Sequence, residues 1–233
     1  YIPNLNISNM VIYWFVPPQP DDHRDYRLRN FLNNISCGLQ MPKRVVQIST
    51  TGVYGDCDGN WVSESRAVAP KTDRARRRVD AENIMKKWCE KLSIPLVILR
   101  VPGIYGPGKL PLERLRKREP VLHQDFSPWS NRVHVEDLVA SCMAAARKSK
   151  PRIIYNISDG FPSTMTDFFF QVADAAGIAR PPTIGLGEAK LKLSQGMRSY
   201  LAESKKIDNS LMRDHLKIAL RYPSLQSGLS SLF

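Results

Sequence analysis

Short unbroken apolar runs alternate along the chain with stretches whose apolar residues return every three or four positions. Met10-Val-Ile-Tyr-Trp-Phe-Val16, Arg44-Val-Val-Gln-Ile48, Ile94-Pro-Leu-Val-Ile-Leu99 and Ile153-Ile-Tyr-Asn-Ile157 have the length and β-branched content of buried strands in a parallel sheet. Asp21-Asp22 stands where a cap would start a helix with Tyr26, Phe31, Leu32 and Ile35 on one side, ending at Cys37-Gly38. Thr72-Asp73 would cap a second helix over residues 74–90, with Val79, Ala81, Ile84, Met85 and Trp88 apolar. Strand, helix and strand in this order give a parallel unit with a right-handed crossover. Further helices are expected at 110–118, from 132 to 147, at 165–176 and around 193–201, and residues 57–71 and 121–131 read as loops.

The 233 residues suffice for one domain or a domain with an appendage. No apolar run approaches the roughly 18 residues of a membrane span, and no segment reads as a signal peptide, so no membrane partner is expected. Cys37, Cys57, Cys89 and Cys142 lack metal-type spacing and are too sparse for a disulfide framework. The expectation is no metal and a reducing, cytoplasmic setting. The net charge of +12 favours an anionic partner. The basic residues are scattered over several helices rather than gathered in one stripe, so a nucleic-acid surface is not expected.

Two consecutive strands empty into glycine-bearing loops, Ser49-Thr-Thr-Gly-Val-Tyr-Gly55 and Arg100-Val-Pro-Gly-Ile-Tyr-Gly-Pro-Gly108. In an open parallel sheet both loops lie at the carboxyl edge, where ligands bind. These loops, the Ala81-Glu82 pair between them and His134-Val-Glu-Asp-Leu138 together resemble the successive signatures of the extended short-chain dehydrogenase/reductase superfamily, the NAD-dependent epimerase/dehydratase group. The wording is most similar to a bacterial atypical subgroup, and the resemblance runs from about Met10 onward. It implies a Rossmann-type α/β fold: a parallel sheet flanked by helices, with a small, mostly helical C-terminal substrate-side subdomain. Residues 1–108, with 134–157 returning to the sheet, would form the Rossmann-type part, and 109–133 with 158–233 the smaller one.

The resemblance also implies NAD or NADP as cofactor and a small-molecule substrate, with a nucleotide sugar and a homodimer as open alternatives. Val16, Pro17, Ile48, Ser49, Arg78, Val101, Pro102 and Gly103 would lie along the cofactor, and Tyr105, Arg132 and His134 toward the substrate. Thr50 matches the family's catalytic hydroxyl. Two departures qualify this. The family's catalytic Tyr and Lys, four residues apart, fall on Arg74 and Arg78, and a guanidinium stays protonated near neutral pH, so Arg74 is no general acid or base. Tyr54 and Tyr105 are then the candidate proton carriers, although structural phenols are the safer reading of both. A structural histidine is likewise preferred for His134. The family's phosphate-gripping Arg, four residues before the His, is Ser130 here, and Arg132 is the nearest arginine.

The second departure is that the sequence holds no G-x-x-G-x-x-G turn, whose amides would hold the dinucleotide phosphates. On the family pattern the chain starts just before the fourth strand, so it is expected to be a fragment that binds dinucleotides weakly alone. Two function classes follow: an atypical NAD(P)-dependent epimerase, dehydratase or reductase relative, or a redox-inert dinucleotide-binding or scaffold protein that has lost catalysis.

Overall fold

The computed structural model describes residues 7–20, 22, 24–35, 41–151 and 153–233. Its centre is a four-stranded parallel sheet of order β1-β2-β4-β9, formed by β1 (Val11–Trp14), β2 (Arg44–Thr50), β4 (Leu96–Val101) and β9 (Ile154–Asn156). Side chains alternate across a strand, so neighbouring residues go to different cores. Val45, Leu96 and Ile98 face α1 (Tyr26–Ile35) and α2 (Asp73–Lys91), while Val46, Val97 and Leu99 face α4 (Val135–Arg147) and α8 (Ser210–Leu216). Both faces of β2 and β4 are thus covered, which is why Val45-Val46 and Leu96-Val-Ile-Leu99 are apolar at successive positions.

Several expectations need correction. β1 is the edge strand of this sheet; of its residues only Trp14 is buried, and Tyr13, Phe15 and Val16 are exposed. With no described strand beyond it, an unbroken apolar run did not imply two covered faces. Helix α1 buries Leu28, Leu32 and Ile35, spaced by four and three, and leaves Tyr26 exposed. Its cap is Asp25, whose carboxylate accepts from the Leu28 amide at 3.0 Å, in place of Asp21-Asp22; Asp21, Cys37 and Gly38 lie outside the described residues. The exit loop after β4 contains β5 (Gly103–Tyr105), and the helix expected from 132 is preceded by its parallel partner β8 (Arg132–His134).

The expected loop at 57–71 holds β3 (Trp61–Val62), and that at 121–131 holds β6 (Val121–Leu122) and β7 (Trp129–Ser130). Each finds a distant partner: β10 (Ser163–Thr164) pairs with β7, β11 (Thr183–Ile184) with β6, and β12 (Lys206–Ile207) with β3. The helix expected around 193–201 is α7 (Gln195–Leu201), started by the Ser194 hydroxyl, which accepts from the Met197 amide, and it is preceded by a helix not expected, α6 (Leu186–Lys192). A further core joins α3 (Leu112–Arg116), α5 (Met165–Ala175) and α9 (Leu225–Leu229) through Leu115, Phe168, Phe169, Val172, Leu225 and Leu229. Among the described residues no helix is long and apolar enough to cross a membrane.

Candidate active site

β1, β2 and β4 end at one edge, and there a cleft of about 660 Å³ opens between the sheet and the C-terminal elements. At the end of β2 the alternation of side chains separates two neighbours. Ser49 turns inward and donates to Glu82 Oε1 at 2.6 Å, whereas Thr50 lines the cleft. The Thr50 hydroxyl accepts from the Gly52 amide at 3.2 Å, capping the 3-10 turn Thr51–Tyr54. A hydroxyl that accepts still holds a proton to donate. The turn closes at Gly55, whose φ of 69° and whose space, with the Ala69 carbonyl 2.2 Å from an added Cβ, require glycine.

Helix α2 brings Arg74, Arg77 and Arg78 to the same cleft, and they are engaged differently. Arg77 Nη1 donates to the carbonyls of Pro20 and Asp22, both at 2.9 Å, tying the exit of β1 to α2. The Arg74 guanidinium lies 4.1 Å from the ring centroid of Tyr200 on α7. Arg78 is half-buried, donates one N–H to the Ile48 carbonyl at 3.2 Å, and is held below the usual guanidinium range chiefly by desolvation.

Across the cleft, Pro102 and Gly103 follow β4, and Arg132 leans over Gly103, where an added Cβ would come within 3.1 Å of Arg132 Cδ and Nη1. Arg132 donates to the Asn131 carbonyl at 2.7 Å and to Met165 Sδ at 3.2 Å, with its guanidinium 4.1 Å from the centre of the Phe168 ring.

The cleft thus gathers Pro17, Thr50, Arg74, Arg78, Pro102, Gly103 and Arg132 from the sequence-based candidates. Val16 is exposed outside it, Val101 is in the core, and Ile48 contributes its carbonyl. Ser49 is turned away from it, which corrects its expected place along the cofactor, and so are Tyr54, Tyr105 and His134, in keeping with the structural reading preferred for these three. Tyr54 is fully buried and donates to Asn156 Oδ1 at 2.7 Å; burial raises its pKa. Tyr105 is buried, donates to the Ser224 carbonyl at 3.2 Å, and is likewise raised by burial. His134 is buried beside the Tyr222 ring, its Nδ1 accepting from the Glu136 amide at 3.3 Å, and burial lowers its pKa. With Asp137, which accepts from the amides of Arg221 and Tyr222 at 2.8 and 3.0 Å, His134 anchors the C-terminal segment.

Other lining residues, Lys109, Trp129, Tyr200, Glu203 and Lys205, carried no signal of this role in the sequence. Residues 194–205 reach the cleft through the long-range pairing of β12 with β3 and through the Ser204 carbonyl, which accepts from the amides of Cys57 and Gly59. No cluster of His, Cys, Asp or Glu among the described residues is arranged to hold a metal.

A parallel sheet whose carboxyl edge opens into a cleft of this make-up defines an open α/β protein of the ligand-binding kind. The sequence profile of the NAD dependent epimerase/dehydratase family matches residues 32–158, and the chain belongs to that family. Among characterised proteins it is similar to the human dTDP-D-glucose 4,6-dehydratase, 27% identical over 127 residues that make up 51% of this chain and 36% of the human one. The matched stretch is thus only about a third of that relative's length. Among solved structures, a conserved protein of unknown function from Silicibacter pomeroyi DSS superposes with a TM-score of 0.82 at 30% identity, over 96% of this chain and 76% of the other. The dTDP-glucose 4,6-dehydratase of Bacillus anthracis str. Ames, solved with NAD, superposes with a TM-score of 0.74 at 17% identity, over 96% and 71%. At that identity the second likeness speaks for the fold.

Proposed function

We propose that this chain forms the reaction edge and the substrate-side wall of an NAD(P)-dependent epimerase, dehydratase or reductase acting on a sugar-nucleotide-like substrate, with an altered proton-handling site. The observation that carries the reading is the meeting of Thr50, Arg78, Pro102 and Gly103 on one cleft at the carboxyl ends of β2 and β4. A bound NAD(P) would supply the hydride acceptor and donor. Arg78 keeps N–H groups beyond the one given to Ile48, suited to ribose hydroxyls. Pro102 and the side-chain-free Gly103 give a close wall for a flat ring, and Thr50 retains a donor for a substrate or nicotinamide oxygen. These residues fit the nicotinamide-ribose end; for the phosphates the sequence offers no glycine-rich turn. On this reading residues 1–108 with 134–157 form the cofactor side, and 109–133 with 158–233 the substrate side, in a reducing cytoplasm that keeps the buried Cys57, Cys89 and Cys142 as thiols.

The experiment is a calorimetric titration of NAD(H) and NADP(H) into this chain and into the full-length polypeptide. Saturable binding to the full polypeptide, weakened about tenfold or more by Arg78→Ala, is expected. Absence of heat with every dinucleotide would overturn it. A second reading, a redox-inert dinucleotide-binding or scaffold protein, is favoured by one observation: a guanidinium occupies position 74, and Tyr54 and Tyr105 both point elsewhere. Dinucleotide binding with no hydride transfer to any sugar nucleotide would select it.

A further inference from the structure

Six cationic side chains, Arg74, Arg77, Arg78, Lys109, Arg132 and Lys205, line the cleft against one carboxylate, Glu203. That carboxylate is taken by Lys205 Nζ at 2.7 Å. Of the cations this leaves without an ion pair, Arg132 is the most enclosed. It is 8% exposed, makes no ion pair among the described residues, and its two recorded acceptors are a carbonyl and a thioether sulfur. A guanidinium has five donor hydrogens, so most of its capacity is unused by protein oxygens. Burial pushes its pKa down to about 10; the Asp159 carboxylate acts against this, but that carboxyl is itself pushed up to about 7, chiefly by burial. Retaining a buried charge with no counterion is costly.

Position matters as much as charge. Arg132 pairs with Gly103 in the β5–β8 register and lies over it, so the guanidinium sits at the end of β4 beside Pro102. Phe168 supports one face of its plane and fixes the fork.

We propose that Arg132 is the seat of an oxyanion, a carboxylate or a phosphate, carried by the reacting end of the substrate. This rests on the proposed function for the reaction edge and adds the class of substrate: an acid-bearing sugar or similar polyol in place of a neutral one. Gly103 is the specificity-determining partner, because any side chain there would displace the fork.

The test is calorimetric titration of glucuronate, glucose 1-phosphate and glucose, at low ionic strength and without dinucleotide, into this chain and its variants. The expected result is binding of glucuronate, glucose 1-phosphate or both, the preference naming the anion, with no binding of glucose. Arg132→Met should weaken it about tenfold or more, Arg132→Lys less, and Arg116→Gln, on the exposed surface of α3, not at all. If Arg132→Met proves unfolded by circular dichroism, Gly103→Ala serves instead and should weaken the same binding. The proposal is overturned by equal binding of glucose, by equal loss in Arg116→Gln, by unchanged affinity in the folded Arg132 or Gly103 variants, or by no anion binding at tens of millimolar. Retained anion binding together with absent NAD(P) binding would sink the dinucleotide reading and leave the anion site standing; the reverse pattern would do the opposite.

Discussion

Glu82 on α2 grips Arg100 on β4 through two hydrogen bonds, Nε to Oε1 at 3.1 Å and Nη2 to Oε2 at 2.7 Å, with both side chains at most 3% exposed. The pair belongs to a longer polar chain beneath the cleft. Ser49 donates to Glu82, the Arg100 guanidinium lies 4.8 Å from the Tyr54 ring centre, and Tyr54 donates to Asn156. Asn156 Nδ2 in turn donates to the carbonyls of Val62 and Asp208, and its amide donates to Glu64. The residues that end the sheet and those that wall the cleft are therefore joined by side chains as well as by apolar packing.

Breaking that pair on one side strands a buried charge. Glu82→Gln should lower unfolding stability by about 3–5 kcal/mol, whereas Glu82→Leu combined with Arg100→Met should cost less than the two single changes added together. Urea denaturation of Glu82→Gln, the two single changes and their combination measures it, and additive losses would contradict the coupling.

Tyr54→Phe removes one hydroxyl and leaves Asn156 Oδ1 unpaired in a fully buried place. A loss of about 1–3 kcal/mol in stability is expected, with dinucleotide affinity unchanged. A collapse of binding without loss of stability would return Tyr54 to the site.

Gly228 packs against the Tyr105 ring so closely that an added Cβ would lie 2.1 Å from the phenol oxygen and 2.6 Å from Cε2. Tyr105 is itself buried beside His134, so the ring has little room to withdraw. Gly228→Ala should destabilise by about 1–3 kcal/mol through overpacking. A thermal midpoint equal to that of the parent protein would show that the ring gives way freely.

Asp159 supplies a pH signature. Its carboxyl is pushed up to about 7, chiefly by burial, against an ordinary value of about 4 in an unfolded chain. Between these values the folded protein holds the proton and the unfolded chain has lost it, so the contribution is full below about pH 4 and is lost as the pH rises to about 7. Asp159→Asn should remove this slope, matching the parent near pH 4 and exceeding it by about 1–3 kcal/mol near pH 8. Denaturation midpoints at the two pH values decide it.

Arg74 and Arg78 should separate in binding. Arg78→Ala is expected to cost about 1–3 kcal/mol of NAD(P) affinity, while Arg74→Ala, which releases Tyr200, should cost less. Equal, negligible effects would put both on the cleft wall without contact to ligand.

The buried strands were legible because burial on both faces leaves an uninterrupted apolar run, as at Val45-Val46 and Val97-Ile98-Leu99. The same signal misread β1, since an edge strand keeps the composition and loses the cover. Thr50 and Gly103 could be placed by their position after strands and Arg78 by the family motif around Ala81-Glu82, whereas side-chain direction could not: Ser49 and Thr50 are neighbours in sequence and point to different environments. The two-residue strands and the approach of Tyr200 to Arg74 depend on partners far along the chain, for which local periodicity holds no record.

The pairing of Lys206–Ile207 with Trp61–Val62 also sets an order of events. The sheet has all four of its strands once Asn156 has been made, yet one wall of the cleft, with Tyr200, Glu203 and Lys205, arrives much later. A chain emerging from the ribosome therefore holds the described strands of the sheet well before it holds a complete binding place. The helix that covers one face of that sheet, α8, follows the clasp directly in the chain, so cover for the face and the wall of the cleft arrive together.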